Sequence, residues 1–186
     1  MDYNNELFYF INRKLENSIF NFIMPSITDL GGFVALLIIL IIIIVYTHIK
    51  NNSVLKKIAF ITLIAFLFTD LIVLFLKNFF KEPRPFITLK NVHLLIVEND
   101  HNSLPSGHAA STLSVVTVLI LNMKKLFKKH YKLINIALII FAVVIPFSRI
   151  YVGVHYPIDV FSGAIIGVGI AWMVNYINKS LNIINF

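Results

Sequence analysis

The sequence predicts an all-α membrane protein: a bundle of five transmembrane helices, or six if residues 5–24 also cross, with an N-terminal amphipathic helix in the membrane interface. Apolar residues make up 58% of the 186 residues and charged residues only 13%. Long apolar runs, such as GFVALLIILIIIIVYTHI at 32–49, exceed what one soluble core of this size requires. No repeat or linker divides the chain, so we expect one domain over 1–186, with an interfacial region 1–31 and a transmembrane core 32–178.

Five stretches of the chain approach the roughly 20 apolar residues that a membrane-spanning helix needs. They cover residues 32–49, 54–76, 107–122, 133–147 and 158–178, and the third and fourth are the shortest. Because successive spans cross in opposite directions, alternate loops are expected to lie on the same side of the membrane.

Residues 5–24 differ from these spans because their apolar residues fall on one helical stripe. The stripe consists of Leu7, Phe8, Ile11, Leu15, Ile19, Phe22 and Ile23, and it lies opposite Arg13, Glu16, Asn17 and Asn21. This pattern predicts an amphipathic helix in the interface. We expect the helix to end before Pro25, since the residue before a proline disfavours helical dihedrals. A sixth, tilted span is the alternative.

The net charge of +7 is distributed unevenly between the loops. Loops 48–57 and 123–132 contain no acidic residue, and together with the segment after the last span they hold Lys50, Lys56, Lys57, Lys124, Lys125, Lys128, Lys129, Lys132 and Lys179. Lysines in short loops favour the cytoplasm, which places loops 77–106 and 148–157 outside it. Membrane anchoring accounts for this charge, so we expect no nucleic-acid partner.

The outer loop 77–106 begins with KNFFKEPRP, in which prolines flank Arg84 and fix the backbone around its guanidinium. Taken alone, Lys77 is a snorkelling anchor at the end of a span, and Arg84 is open to the same interpretation. This segment by itself is weak support for a site.

The same loop ends in LPSGHAAS, where Ser106 suits a helix N-cap and Gly107 and His108 occupy the first turn. The N–H groups and the dipole at a helix N-terminus favour an anion. Without further context, a capped helix with a solvated histidine is the simpler interpretation.

The second outer loop contains SRIYVGVHYPID, which places Arg149, His155 and Asp159 among apolar residues. Charged groups at membrane depth are costly and are usually functional. Pro157 suits the first turn of a helix, so Asp159 would follow His155 by one turn and could orient its imidazole.

Together these segments predict a phosphoryl-transfer site. Lys77, Arg84 and Arg149, with a helix N-terminus, match the three non-bridging oxygens of a phosphoryl group. His155 could attack phosphorus while His108 protonates the departing oxygen. The chain has no cysteine, which excludes a thiol nucleophile and Cys-ligated zinc.

The three motifs make the chain resemble the type 2 phosphatidic acid phosphatase superfamily, whose signature is K-x6-RP, then PSGH, then SR-x5-H-x3-D. The matching positions are Lys77, Arg84-Pro85, Pro105-Ser106-Gly107-His108, Ser148-Arg149, His155 and Asp159. The resemblance covers roughly residues 60–178. Three spaced motifs in order are far more specific than any one alone.

The resemblance implies an integral-membrane lipid phosphatase that forms a phospho-histidine and needs no metal or other cofactor. His155 would be the nucleophile, Asp159 its partner and His108 the general acid. The phosphate would be held by Lys77, Arg84, Arg149, Ser106 and Gly107. The partners would be a lipid phosphate and membrane lipids, at an active site on the extracytoplasmic side of the cell membrane.

The resemblance indicates the reaction more specifically than it indicates the substrate. Members of the family act on undecaprenyl and other polyprenyl diphosphates, phosphatidylglycerophosphate, phosphatidate and lipid A phosphates. An outward-facing site favours conversion of a polyprenyl diphosphate, such as undecaprenyl diphosphate, to the monophosphate, with phosphatidylglycerophosphate or phosphatidic acid as the alternative. A phosphotransferase is an enzymatic rival, and a lipid or anion transporter is the rival from another class. The oligomeric state is not predicted.

Several further polar residues have assignable interpretations. Asp70 lies within the second span, where supporting another buried polar group is favoured over tuning the site. Gly163 and Gly167 allow close helix packing. His48 and His130 are expected to be solvated, whereas residues of the outer loop could touch a head group: Lys90, His93, Asp100 and His101.

Overall fold

The computed structural model describes residues 3–181 and 183–184, in which helices predominate and no strand forms. The helices are α1 (Tyr3–Tyr9), α2 (Ser18–Asp29), α3 (Phe33–Ile49), α4 (Ser53–Phe80), α5 (Pro85–Thr88), α6 (Gly107–Leu126), α7 (Tyr131–Tyr151) and α8 (Pro157–Leu181), with a π-helical turn at Phe10–Lys14. The predicted all-α membrane fold is confirmed. The remaining residues of the expected domain 1–186 lie outside the description.

Four helices, α4, α6, α7 and α8, are long and apolar enough to cross a membrane. The helix α3 has 17 residues and reaches that length only together with α2, to which it is joined at a bend of 56°. The described residues therefore contain four spans, or five if the bent pair crosses as one. The four long helices extend beyond the predicted apolar stretches, because polar residues at their ends continue the helical backbone.

The prediction of one helix over 5–24 is wrong in two respects. The first helical segment ends after the π-helical turn, and a separate helix, α2, begins at Ser18. Asn17 caps α2 by accepting a hydrogen bond of 2.9 Å from a backbone N–H in its first turn. In addition, α2 does not end before Pro25 but continues for four residues beyond it. A proline inside a helix loses one backbone hydrogen bond; burial of Met24 and Thr28 on either side offsets this loss.

The N-terminal region consists of two segments, α1 with the π-helical turn and then α2, and their apolar residues lie in different surroundings. Phe8 and Ile11 are buried in an apolar cluster at one end of the bundle, whereas Ile19 and Phe22 of α2 are exposed. The first piece therefore packs against the bundle, and α2 presents apolar side chains outward, as an interfacial helix does.

The centre of the bundle is α6, which packs against α4, α7 and α8. Gly163 and Gly167 of α8 lie so close to the backbone carbonyls of Ser106 and Ala110 that a Cβ atom at either position would overlap them. The predicted role of these glycines in close packing is confirmed. One consequence is that the start of α6 lies directly beside the start of α8.

The turn between α7 and α8 depends on Gly153, whose φ of +88° is a conformation that L side chains rarely adopt. This turn connects Arg149, near the end of α7, with His155, just before α8. Both side chains can thereby point into the same end of the bundle, where α4 ends and α6 begins.

Candidate functional site

Arg84 is the central residue of a polar cluster at this end of the bundle. It occupies the N-cap position of α5, between two prolines, and its side chain is only 2% exposed. Its Nη1 atom donates to the backbone oxygen of Val154 at 2.9 Å and lies 3.1 Å from Nε2 of His155. Two predicted site residues from separate loops are thus in direct contact.

The contact with Arg84 determines the tautomer of His155. A guanidinium has N–H donors and no acceptor, so Nε2 of His155 must accept, which places the ring proton on Nδ1. Burial lowers the pKa of His155 well below its usual 6.5, and the positive charges of Arg84 and Arg149 lower it further. The imidazole is therefore neutral at pH 7, with its lone pair on Nε2.

Ser103 connects the other ring nitrogen of His155 to Asp159. The Ser103 hydroxyl donates to Oδ2 of Asp159 at 2.5 Å, and its oxygen lies 3.3 Å from Nδ1 of His155. The direct distance from Nδ1 to Oδ2 of Asp159 is 3.5 Å. Because the backbone N–H of Tyr156 also donates to that carboxylate oxygen, at 2.8 Å, the carboxylate is fixed in place and holds the imidazole through the serine.

Lys77 contributes a second cation from the last turn of α4. Its Nζ donates to Oδ2 of Asp100 at 2.6 Å and to the backbone oxygen of Asn102 at 2.5 Å. Arg84 also contacts Asp100, through its Nε on the backbone oxygen and through its Nη2, which is 3.3 Å from Oδ2. Burial alone would raise the pKa of Asp100, but the hydrogen bonds from Lys77 and the backbone N–H of Asn102, together with the charges of Lys77 and Arg84, keep the pKa below its usual value.

Arg149 contributes the third cation from the end of α7 and is 1% exposed. Its Nη2 donates to Oε2 of Glu98 at 2.8 Å, and its Nη1 donates to Oγ1 of Thr28 on α2 at 3.0 Å. The same Glu98 oxygen lies 3.7 Å from Nη2 of Arg84. Glu98 thus bridges the two arginines.

Ser106 precedes the first residue of α6, as expected, but its side chain makes no capping hydrogen bond. Its backbone N–H donates to the backbone oxygen of Asp159 at 2.9 Å, which joins α6 to α8. The Oγ atom of Ser106 is buried and has no partner among the described residues, and the same is true of Nε of Arg149 and Oδ1 of Asp159. Buried polar atoms are normally bonded, so these three have capacity for a ligand.

Gly107 and His108 form the first turn of α6, as predicted. The imidazole of His108 faces α3: a Cβ atom built on Gly32 would lie 3.3 Å from its Nε2. His108 is also close enough for its charge to lower the pKa of His155. The two histidines therefore lie within electrostatic range of each other.

Two cavities lie at this end of the bundle, and the first of them is lined by a residue of the cluster, Asp159. A cavity of about 330 Å³ is lined by polar groups that include Asp159 and Glu82. A groove of about 560 Å³ runs between α7 and α8, and every residue that lines it is apolar. Ile158 borders both cavities, and the groove also contains Ile150, which follows Arg149 in sequence.

The structure adds three residues that the sequence reasoning did not select as site residues: Thr28, Glu98 and Ser103. Ser103 lies two residues before the PSGH motif, and Glu98 lies in the same outer loop. An excess of buried cations is the signal that could have indicated the need for a carboxylate such as Glu98. No sequence signal indicated Thr28, because its contact with Arg149 joins residues far apart in the chain.

The other polar residues have mostly structural contacts. Oδ1 of Asp70 accepts a hydrogen bond of 2.8 Å from Ser111, one turn after Gly107, in line with the favoured supporting role. The carbonyl of Lys90 accepts from the hydroxyl of Tyr9. His93 lies 3.3 Å from Glu16, and His101 is exposed.

No group of three or more His, Cys, Asp or Glu side chains suited to a metal ion occurs in the part of the chain that the structure describes. The positive charge of the cluster comes from its own lysine and arginines.

Comparison with known proteins places this cluster in a family. The model of the PAP2 superfamily matches residues 55–182, a range that contains all three motifs. Undecaprenyl-diphosphatase BcrC of Bacillus subtilis is 34% identical over 92 residues, covering 50% of this chain and 43% of that protein. Bacitracin transport permease protein BcrC of Bacillus licheniformis is 32% identical over 122 residues, covering 66% and 56%. The chain spans about half the length of these curated relatives.

A solved structure extends the likeness to almost the whole chain. The crystal structure of LpxE from Aquifex aeolicus matches with a TM-score of 0.75 and 32% identity, covering 94% of this chain and 95% of that one. The helical bundle, the three ordered motifs and the match to the family model agree, and the chain is a multi-pass membrane protein that belongs to the PAP2 superfamily.

Proposed function

We propose that the protein is a lipid phosphatase that transfers a phosphoryl group first to His155 and then to water. The observation that carries this proposal is the contact of a neutral, buried His155 with Arg84 through Nε2, in a cluster that also holds Lys77 and Arg149. A neutral imidazole beside fixed cations suits attack on a phosphoryl group once phosphate has taken over the Arg84 contact with Nε2.

In the first step, the phosphate oxygens bind Arg84, Arg149 and Lys77, with Ser106 and Gly107 at the N-terminus of α6. Glu98 and Asp100 neutralise these cations in the unliganded protein, so the phosphate competes with both carboxylates. Binding also draws the Arg84 N–H away from Nε2 of His155, which exposes the lone pair to phosphorus.

In the second step, Nε2 of His155 forms a bond to phosphorus as the phosphorus–oxygen bond to the lipid breaks. A protonated His108 gives its proton to the departing oxygen. Positive charge that develops on the imidazole is stabilised by Asp159 through Ser103. Water then attacks phosphorus, His108 takes a proton from that water, and the phosphorus–nitrogen bond breaks to release inorganic phosphate.

The apolar groove beside the cluster supports a lipid substrate. Its volume of about 560 Å³ and wholly apolar lining suit part of a hydrocarbon tail, while the cations hold the phosphate. We favour a polyprenyl diphosphate that is converted to the monophosphate, since a relative is named undecaprenyl-diphosphatase.

The proposal includes the orientation of the bundle in the membrane and the extent of the phosphatase domain. The lysine-rich loops 48–57 and 123–132 lie at the end of the bundle opposite the cluster, because α4 and α7 begin there. Lysines in such loops favour the cytoplasm, so the site opens on the extracytoplasmic side. Residues 1–186 act as a single phosphatase domain.

The experiment is release of phosphate by purified protein from undecaprenyl diphosphate, phosphatidylglycerophosphate and phosphatidate, each with a chelator present. We expect hydrolysis in the chelator, with preference for the diphosphate, and loss of hydrolysis in His155→Ala. His101→Ala is the matched control, because His101 is an exposed histidine of the outer loop. Strict dependence on a divalent cation, or full hydrolysis by His155→Ala, would contradict the mechanism.

A transporter is the second candidate because one relative is named a bacitracin transport permease protein. In this chain, the predicted site residues gather at one end of the bundle and do not line a path across it. A vesicle assay separates the two functions, since transport without phosphate release in the wild-type protein would favour the transporter.

A further inference from the structure

A second polar cavity lies at the opposite end of the bundle from the histidines. It has a volume of about 670 Å³ and is bordered by the start of α4 and the ends of α6 and α8. Its volume falls within the range of small-molecule sites. The mechanism proposed for His155 makes no use of this cavity.

The polar part of the cavity is basic. Lys57, Lys125 and Lys179 border it, one from each of the three helices, and the lining contributed by the described residues includes no acidic side chain. The lining therefore favours an anion.

The floor of the cavity is a network of amides. Nδ2 of Asn122 donates to Oδ1 of Asn175 at 2.8 Å, which links α6 to α8, and Lys125 donates to Oδ1 of Asn122 at 2.8 Å. Asn122 is only 2% exposed. The network holds the Lys125 ammonium at the edge of the cavity.

The cavity also extends into the apolar part of the bundle. Ser53 and Ile61 of α4 both border it, and the rise of a helix separates them by about 12 Å. Trp172 and Tyr176 stack at its edge with ring centroids 5.6 Å apart, and both are exposed. Tryptophan and tyrosine are typical of the level where head groups meet hydrocarbon.

From this arrangement we infer a binding site for one phospholipid with an anionic head group, in the leaflet opposite the catalytic cluster. The head group would contact Lys57, Lys125 and Lys179, and an acyl chain would run past Trp172 along the apolar wall. Basic pockets at the ends of transmembrane helices bind anionic lipids in this manner.

The test is native mass spectrometry of the full chain in detergent, titrated with phosphatidylglycerol, phosphatidylcholine or inorganic phosphate. We expect one phosphatidylglycerol to bind preferentially and to be released by high salt. The double variant Lys125→Gln/Lys179→Gln should bind it about 30-fold more weakly, which corresponds to roughly fivefold for each lysine. Lys128→Gln/Lys129→Gln is the matched control, since it removes the same charge at the same end outside the cavity, and should bind within about threefold of wild type.

Equal loss in both double variants would show a general charge effect and overturn the site. Equal binding of phosphatidylcholine would do so as well, because the head-group charge would then be irrelevant. Displacement of the lipid by an equal concentration of inorganic phosphate would assign the cavity to a free anion. Unchanged melting temperatures of both variants ensure that the comparison concerns binding.

Discussion

Replacement of Glu98 by glutamine tests whether an internal carboxylate competes with phosphate for the arginines. Oε2 of Glu98 lies 2.8 Å from Nη2 of Arg149 and 3.7 Å from Nη2 of Arg84. Glutamine retains the shape and one oxygen acceptor but removes the negative charge. Phosphate would then bind to cations that are less neutralised.

The magnitude follows from Coulomb's law and the exposure of the carboxylate. Unit charges about 4 Å apart contribute about 4 kcal/mol at an effective dielectric constant of about 20. The Glu98 side chain is 23% exposed, so solvent screening reduces this to about 2 kcal/mol. We therefore expect Glu98→Gln to bind inorganic phosphate 10- to 30-fold more tightly, at about 1.4 kcal/mol for each factor of ten.

The assay is product inhibition of lipid hydrolysis by inorganic phosphate, together with thermal unfolding. The melting temperature should fall by about 4–8 °C, because the buried guanidinium of Arg149 loses its charged partner. Glu6→Gln removes an exposed carboxylate of α1, outside the cluster, and should change the inhibition constant less than about twofold. An inhibition constant in Glu98→Gln that is unchanged or higher would refute the competition.

Three further predictions follow from the cluster and the bundle. The acidic limb of a bell-shaped pH profile of kcat/KM should lie well below pH 6.5, because burial, followed by the charge of Arg84, lowers the pKa of His155 and keeps it neutral; a limb at or above 6.5 contradicts this. Ser103→Ala should lower kcat about 10- to 100-fold with little change in KM, since it removes a hydrogen bond to the charged Asp159. The control is Ser162→Ala, which removes a hydroxyl that donates to a backbone oxygen and should leave kcat within about twofold. Gly167→Leu should lower the melting temperature by about 4–8 °C through overlap with α6, while Gly169→Leu, with no atom near its Cβ position, should not.

The sequence predicted the long helices well because a long apolar run in a membrane must pair its own backbone N–H and C=O groups. A helix does this, whereas an open loop does not. It was less successful before the first long span. There Pro25 suggested a helix end, and the burial of Met24 and Thr28 outweighs that local preference. Proline position is a local signal, whereas burial depends on the whole bundle.

The cluster shows the same division between local and long-range information. Motif spacing predicts Lys77, Arg84, Arg149 and His155 as site residues, and two of them, Arg84 and His155, are in direct contact. Glu98 and Ser103 were not selected, because their roles follow from contacts with distant residues that no spacing rule encodes. A count of buried charges would have indicated that some anion was missing, but not which one.

The hydrogen bond from Arg149 to Thr28 makes the N-terminal region part of the polar cluster. Thr28 lies outside the region that matches the family model, residues 55–182, although it accepts a hydrogen bond from Arg149, a residue of the third motif. A fragment limited to the matched region would lack both Thr28 and Gly32. Nη1 of Arg149 would lose its hydrogen-bond partner, and the side of His108 that faces Gly32 would be uncovered. Exchange of the first 31 residues between relatives would therefore alter phosphate affinity without touching any signature residue.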